Sequence, residues 1–322
     1  MASCAEIRNH GCEMVDAEEL KQRLRRGDLV ERPEEMTDEY RHELKRMLLI
    51  AGDTEFRSVP MLHSYLRVGV PYRYVKPVLA IAQDELGHAH VNYRILEDLG
   101  EDLDALLFER DAKDWAYPYF FDMPMEEWSE IAVAEGLGEF AGGILVRNIL
   151  HHTSYAPWRR ALVKVEMEET FHVKFGQTLM TELAGTPEGL DKLQRTVDWM
   201  FPLLVEFFGP PEKVVDVQIE YRLKGKGTDD MRQQYLHHAV PFCQSLGLKL
   251  PVHLDQASDQ YVLDFPFPCE FDPTRKRWNF AKPVQWRDVF ARWKARGPMA
   301  EEHLRQIRQG WRSLRSARGV AR

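Results

Sequence analysis

Two short motifs stand out for the chemistry they permit, Glu85-Leu86-Gly87-His88 and Glu169-Thr170-Phe171-His172. Each sets a carboxylate three residues ahead of an imidazole, a spacing that puts both side chains on one face of an α-helix within reach of a single ion. Each motif also follows a glutamate 30 residues upstream, Glu55 and Glu139, and the second set repeats the first at a displacement of 84 residues. Four carboxylates and two imidazoles form an oxygen-rich donor set suited to a pair of redox-active cations. About one Glu-x-x-His is expected by chance at this composition, so the matched pairing carries the argument. A third copy, Glu39 to His42, lies off the apolar stripe of its own helix and reads as a charge cluster at a helix start.

These residues need four long helices to converge. Thr37 is an N-cap candidate, followed by Asp38 and Glu39 and by an apolar stripe through Tyr40, Leu44, Met47, Leu48 and Ala51 that leads to Glu55. This helix is expected to end near Pro60. A second, entered at Pro71 or Pro77 and stopped by Gly100, carries Val78, Ile81, Glu85, His88 and Asn92 on one face. A third runs from Trp128 to about Ile149 and carries Glu139, with Glu135 as the alternative inward carboxylate. A fourth, from Pro157 to Gly185, carries Leu162, Val165, Glu169 and His172. A carboxylate on an apolar stripe costs several kcal/mol unless it is compensated, and a metal ion is one adequate compensation. Ion pairs with Lys164 or Arg147 would be another. Asp84 and Glu168, each four residues ahead of a histidine, suit acids that accept from the imidazole nitrogen left free by a metal.

The fold class read from this pattern is all-α, a ferritin-like four-helix bundle with additional C-terminal helices and a loop-rich segment; such bundles hold two metal ions with one Glu from each of two helices and Glu-x-x-His from the others. Residues 1–35 read as a charged N-terminal extension, 36–250 as the helical domain, and 251–322 as a loop-rich segment with a small hairpin and further helices packing on the bundle. A formal net charge of -8 opposes nucleic-acid binding, only Arg305 to Arg322 being basic. Cys4, Cys12, Cys243 and Cys269 form no CxxC pair, which points to neither a zinc ribbon nor a disulfide framework. With no signal-peptide core and no membrane span, the expected location is cytoplasmic.

Gln83-Asp84-Glu85-Leu86-Gly87-His88, Thr153-Ser154-Tyr155-Ala156-Pro157 and Glu168-Glu169-Thr170-Phe171-His172 together resemble the catalytic A subunit of the phenylacetyl-CoA epoxidase family, from about Glu35 to Leu250 and weakly around Trp286. The resemblance implies a multicomponent monooxygenase that epoxidises the aromatic ring of a CoA thioester with dioxygen. Electrons would come from NADPH through a flavin and iron-sulfur reductase. Two further partners are implied, a small accessory protein and a homologous non-catalytic scaffold subunit. Two iron ions would be held by Glu55, Glu85, His88, Glu139, Glu169 and His172, with one oxygen atom passing to the ring and the other leaving as water. The stretches Pro210–Gly227 and Pro266–Trp278 and the N-terminal extension depart from the family pattern.

Further expectations concern the substrate. The aromatic run from Trp115 to Phe121 is a candidate lining for the ring, and Arg73, Lys76, Arg159, Arg160 and Lys164 are candidate contacts for CoA phosphates. The rival readings are a di-iron oxygenase for another aromatic acyl-CoA or aromatic acid, a ferritin-like iron-storage or oxidase protein, and a scaffold subunit. The last two are opposed by the elaborate region after residue 186 and by the intact ligand set, respectively.

Overall fold

The computed structural model describes residues 15–317 except 67, 70 and 212–215. Cys4, Cys12 and the last five residues of the basic tail lie outside them. The first helix, α1 (Ala17–Arg25), is capped by Asp16 and buries Leu20 and Leu24. Val30 beyond it bridges to Tyr155. The stretch read as an N-terminal extension therefore contributes three side chains to the core around Tyr40 and Trp158.

Thr37 does cap α2 (Asp38–Tyr65), its hydroxyl accepting from the Tyr40 amide at 3.1 Å. The stop expected at Pro60 does not occur. Beyond it Met61, Leu62 and Tyr65 are buried, and burying three such side chains, each at about 1.5–3 kcal/mol, outweighs the roughly 3 kcal/mol of an interior proline. The antiparallel partner is α3 (Tyr72–Asp98), followed by Gly100 at φ 92. A loop then carries the aromatic run into the core. Buried Asp122 anchors it by accepting from the Tyr117 hydroxyl at 2.6 Å and the Gly297 amide at 3.0 Å, beside the equally buried Arg57.

The second hairpin starts with α4 (Trp128–Val133), passes through a π-helical turn at Ala134–Gly138 and continues as α5 (Glu139–His152). Its partner, α6 (Ala156–Ala184), begins with Pro157 in its first turn and ends at Gly185. The two helices touch backbone to backbone where a Cβ on Gly176 would stand 2.1 Å from the Gly136 nitrogen. Glycine is required by that approach. This four-helix core is all-α and ferritin-like.

The amphipathic α7 (Pro187–Glu206) covers one end, followed by α8 (Val217–Glu220) and α9 (Thr228–Ser245). The segment expected to be loop-rich contains two hairpins rather than one: β1 (Val252–Asp255) with β2 (Gln260–Leu263), and β3 (Cys269–Asp272) with β4 (Arg277–Pro283). Trp278 of β4 donates its indole N–H to the Trp199 carbonyl at 2.8 Å, fixing the second hairpin to α7. The chain closes with α10 (Trp286–Ala295) and α11 (Ala300–Ala317), where Trp311 stacks on Phe108 at 4.3 Å. Cys243 and Cys269 are buried free thiols. Among the described residues no helix is long and apolar enough to cross a membrane.

Candidate metal centre

All six residues singled out by their spacing converge in the middle of the bundle. Two overlapping groups have ligand atoms within 4.8 Å of one another: Glu55, Glu85, His88 and Glu169, and Glu85, Glu139, Glu169 and His172. Glu85 and Glu169 belong to both. Each group has the donors to hold one cation, and each adds one further glutamate and one imidazole to the two carboxylates common to both.

Distances show how the halves interlock. His88 Nδ1 is 3.2 Å from Glu169 and 3.9 Å from Glu55, whereas His172 Nδ1 is 3.0 Å from Glu85 and 3.8 Å from Glu139. Each imidazole thus faces the carboxylate of the opposite Glu-x-x-His motif. The outer nitrogens cross over as well: His88 Nε2 donates to Glu168 at 3.1 Å and His172 Nε2 to Asp84 at 3.4 Å. The acids four residues ahead of each histidine were expected to act along their own helices. They serve the other helix, because antiparallel packing brings residue 84 beside 172 and 168 beside 88. With the proton on Nε2, Nδ1 keeps its lone pair toward the cluster.

The donor set fits cations. Glu85, His88, Glu169 and His172 are all at most 2% exposed. Glu85 Oε1, Glu169 Oε2 and both Nδ1 atoms are buried with no hydrogen-bond partner in the protein. Among the described residues no Lys or Arg ion-pairs with the four carboxylates: Lys164 binds Glu168, and Arg147 lies over the Phe140 ring. Burial, together with the neighbouring Glu139 and Glu55, pushes the Glu85 carboxyl well above its usual range. Burial likewise raises Glu169 to about 7, against the opposing pull of the neighbouring His88 ring. Burial acts to lower His88, but its contacts with Glu169 and Glu55 prevail and raise it to about 9. Buried carboxylates that resist charging, beside imidazoles that attract protons, form a site short of positive charge.

On the third helix the two candidate carboxylates occupy different places. Glu139 belongs to the second group of donors and Glu135 to neither. Glu135 is fully buried one turn earlier, inside the π turn, with both carboxylate oxygens unpartnered. The third Glu-x-x-His is a helix start: Glu39 accepts from the Tyr221 hydroxyl at 2.8 Å, and His42 is exposed.

A small cavity of about 30 Å³ opens beside the cluster between α2 and α5. It is lined by Thr54, Glu55, Ser58, Glu85, Phe121, Gly138, Glu139, Gly142, Glu169 and Phe207. Of the aromatic run only Phe121 reaches it; the remainder is core packing. None of the five candidate phosphate contacts lines it, and Arg73, Arg160 and Lys164 already pair with Glu182, Glu31 and Glu168. Spacing alone missed Ser58, whose hydroxyl donates to Glu85 at 3.1 Å, and the pair Gly138 and Gly142. The available signal was a serine three residues after Glu55 and small residues flanking Glu139 on an otherwise bulky stripe.

Comparison with known proteins agrees with this geometry. The chain is 27% identical over 259 residues to the A subunit of the 1,2-phenylacetyl-CoA epoxidase of Escherichia coli (strain K12), an alignment covering 77% of this chain and 82% of the relative. A model of the family described as Phenylacetic acid catabolic protein matches residues 14–265, and the chain therefore belongs to that family.

Proposed function

We propose that this chain is the oxygenase subunit of a multicomponent di-iron monooxygenase that epoxidises the ring of phenylacetyl-CoA, drawing electrons from NADPH through a flavin and iron-sulfur reductase. The observation that carries the reading is the sharing of Glu85 and Glu169 between two sets of buried donors. A pair of ferrous ions, when bound, supplies the activation of dioxygen, one atom going to the ring and the other to water. Glu55, Glu85, His88, Glu139, Glu169 and His172 hold the pair. Asp84 and Glu168 fix the imidazoles by accepting their Nε2 protons, and Ser58 holds Glu85 in place.

On this reading the ring approaches the apolar part of the cavity lining, Phe121, Phe207, Gly138 and Gly142, where apolar surroundings keep water from the reacting carbon. The identity of the Escherichia coli relative supports the substrate class. The partners on this reading are the reductase, a small accessory protein and a homologous scaffold subunit.

The test is oxygen uptake by the iron-loaded chain with its partners and NADPH. Phenylacetyl-CoA should raise the rate and gain one oxygen atom by mass spectrometry. Oxygen reduced only to hydrogen peroxide, with the thioester unchanged, would contradict the reading.

A further inference from the structure

Outside the donor groups, the buried acids of this chain face cations. Asp53 pairs with Arg110, Asp122 with Arg57, Glu130 with Lys276 and Glu206 with Arg292. Glu135 is the exception among the described residues. It is fully buried, neither of its carboxylate oxygens has a hydrogen-bond partner in the protein, and the charges that act on it are Glu139, His172 and Glu169 rather than any lysine or arginine. The Tyr65 hydroxyl, on which Glu135 is the foremost neighbouring charge, is buried without a partner as well, so it does not hold Glu135 either. A buried acid left in this way destabilises the fold, and an apolar side chain of the same size would not.

Its place is set by α6. A Cβ on Gly176 would stand 2.5 Å from the Glu135 Cβ, and Gly176 is one helical turn beyond His172. Glu135 therefore occupies the layer next to the ligands of the His172 side, inside the π turn at Ala134–Gly138. The equivalent layer of the other half, 84 residues earlier, holds Ala51 and Asn92. The polar side chain there is satisfied: Asn92 donates to the His88 carbonyl at 2.9 Å and accepts from the Trp158 indole at 3.0 Å. A polar residue that serves the packing of this layer thus has its partners, and Glu135 has none.

We propose that Glu135 is a further oxygen donor to the cation on the His172 side, which makes the two cation positions unequal. The inference rests on the reading of the cluster as a site for two metal ions. A glutamate has three side-chain torsions, and Glu135 has no hydrogen bond to give up in turning toward a cation. Because Ala51 stands at its counterpart, the cation on the His88 side gains no such donor. A hard carboxylate oxygen added to one position alone gives that position the greater affinity for a hard divalent ion.

The experiment measures anaerobic ferrous-iron binding to the full chain by calorimetry, and melting of the metal-free chain, for the parent, Glu135→Met and Glu135→Gln. Methionine fills a similar volume without an oxygen donor, and glutamine keeps the shape and removes the charge. The parent should take up two ions. In each variant one of the two dissociation constants should rise by at least the roughly 10–100-fold that an outer partner carries, and one ferrous Mössbauer doublet should change, while the other constant and the other doublet stay as they are. Without metal, Glu135→Met should melt about 2–4 °C higher, the opposite of what the loss of a structural contact does. Glu130→Met, which loses the pair with Lys276, should melt lower and bind iron as the parent does. The proposal is overturned if both ions loosen equally in the Glu135 variants, or if metal-free Glu135→Met melts lower than the parent. A parent that takes up no iron would overturn the functional reading along with it, whereas two ions held alike by parent and variants would overturn this proposal alone.

Discussion

The α2–α3 hairpin and the hairpin of α4, α5 and α6 supply the same donors at a displacement of 84 residues, yet their surroundings differ at several equivalent positions. Gly52 and Gly136 correspond, and each lets its helix approach the partner, but a Cβ on Gly52 would stand 3.1 Å from the Tyr93 ring whereas one on Gly136 would stand 2.7 Å from the Met180 sulfur and 3.0 Å from the Gly176 backbone. Asn92, equivalent to Gly176, instead accepts a hydrogen bond from the Trp158 indole at 3.0 Å. Ser58 clamps Glu85, while its counterpart Gly142 leaves open space beside Glu169. Ala51 corresponds to Glu135, which lies in a π turn, a feature frequent at functional sites, whereas Ala51 lies in regular α-helix. The comparison teaches that the set of six ligands is symmetric and its support is not: one half fixes its shared carboxylate, and the other leaves open space beside its own.

That contrast can be broken by substitution. The largest effect is expected from Glu85→Ala and Glu169→Ala. Because both residues belong to both donor groups, either change should cost more metal affinity than the roughly 10–100-fold carried by outer partners, with turnover lost alongside. Metal titration by calorimetry checks this. If one variant kept parental affinity, the symmetry of the donors would be refuted.

Stability should separate the halves next. Gly176→Ala drives a Cβ into the backbone of the π turn and is expected to cost about 3 kcal/mol, whereas Gly52→Ala meets mainly one movable ring and should cost about 1 kcal/mol. Chemical denaturation of both variants gives the comparison; equal losses would mean the helix contacts are alike after all.

Asp84→Asn and Glu168→Gln should each lower metal affinity by about 10–100-fold. Glu168 also holds Lys164, which Asp84 does not, so its loss should perturb the neighbouring surface as well. A larger effect of Asp84→Asn on His88 than on His172, read from imidazole NMR shifts, would contradict the crossed pairing. The smallest change is expected from Ser58→Ala, at about 1 kcal/mol for one hydrogen bond. Gly142→Leu, by contrast, should leave metal binding intact while raising KM for the thioester.

Much of this is legible in the residues alone, for a definite reason. A carboxylate on an apolar stripe violates the burial pattern that makes helices readable, so Glu55, Glu85 and Glu169, and on the third helix Glu135 or Glu139, stand out by the same periodicity that locates their helices. The helix boundaries at Thr37, Gly100 and Gly185 follow from caps and glycines. What escapes is set by contacts between distant segments. The continuation of α2 through Pro60 depends on the core that receives Tyr65, and the crossing of Asp84 and Glu168 depends on the relative sliding of α3 and α6. The π turn has no periodic signature, which is why Glu135 and Glu139 stay alternatives until their positions are compared. The second β-hairpin is held by the Trp278 indole bond to α7, by Lys276 pairing with Glu126 and Glu130 and by Phe271 in the core, contacts that spacing does not encode.

The most direct test of the central claim is metal content and Mössbauer spectroscopy of the chain isolated with ferrous iron, beside Glu85→Ala. The account predicts close to two iron ions per chain with the spectrum of a coupled pair, lost in the variant. A folded parent chain holding no iron, or one uncoupled ion that survives Glu85→Ala, would contradict it.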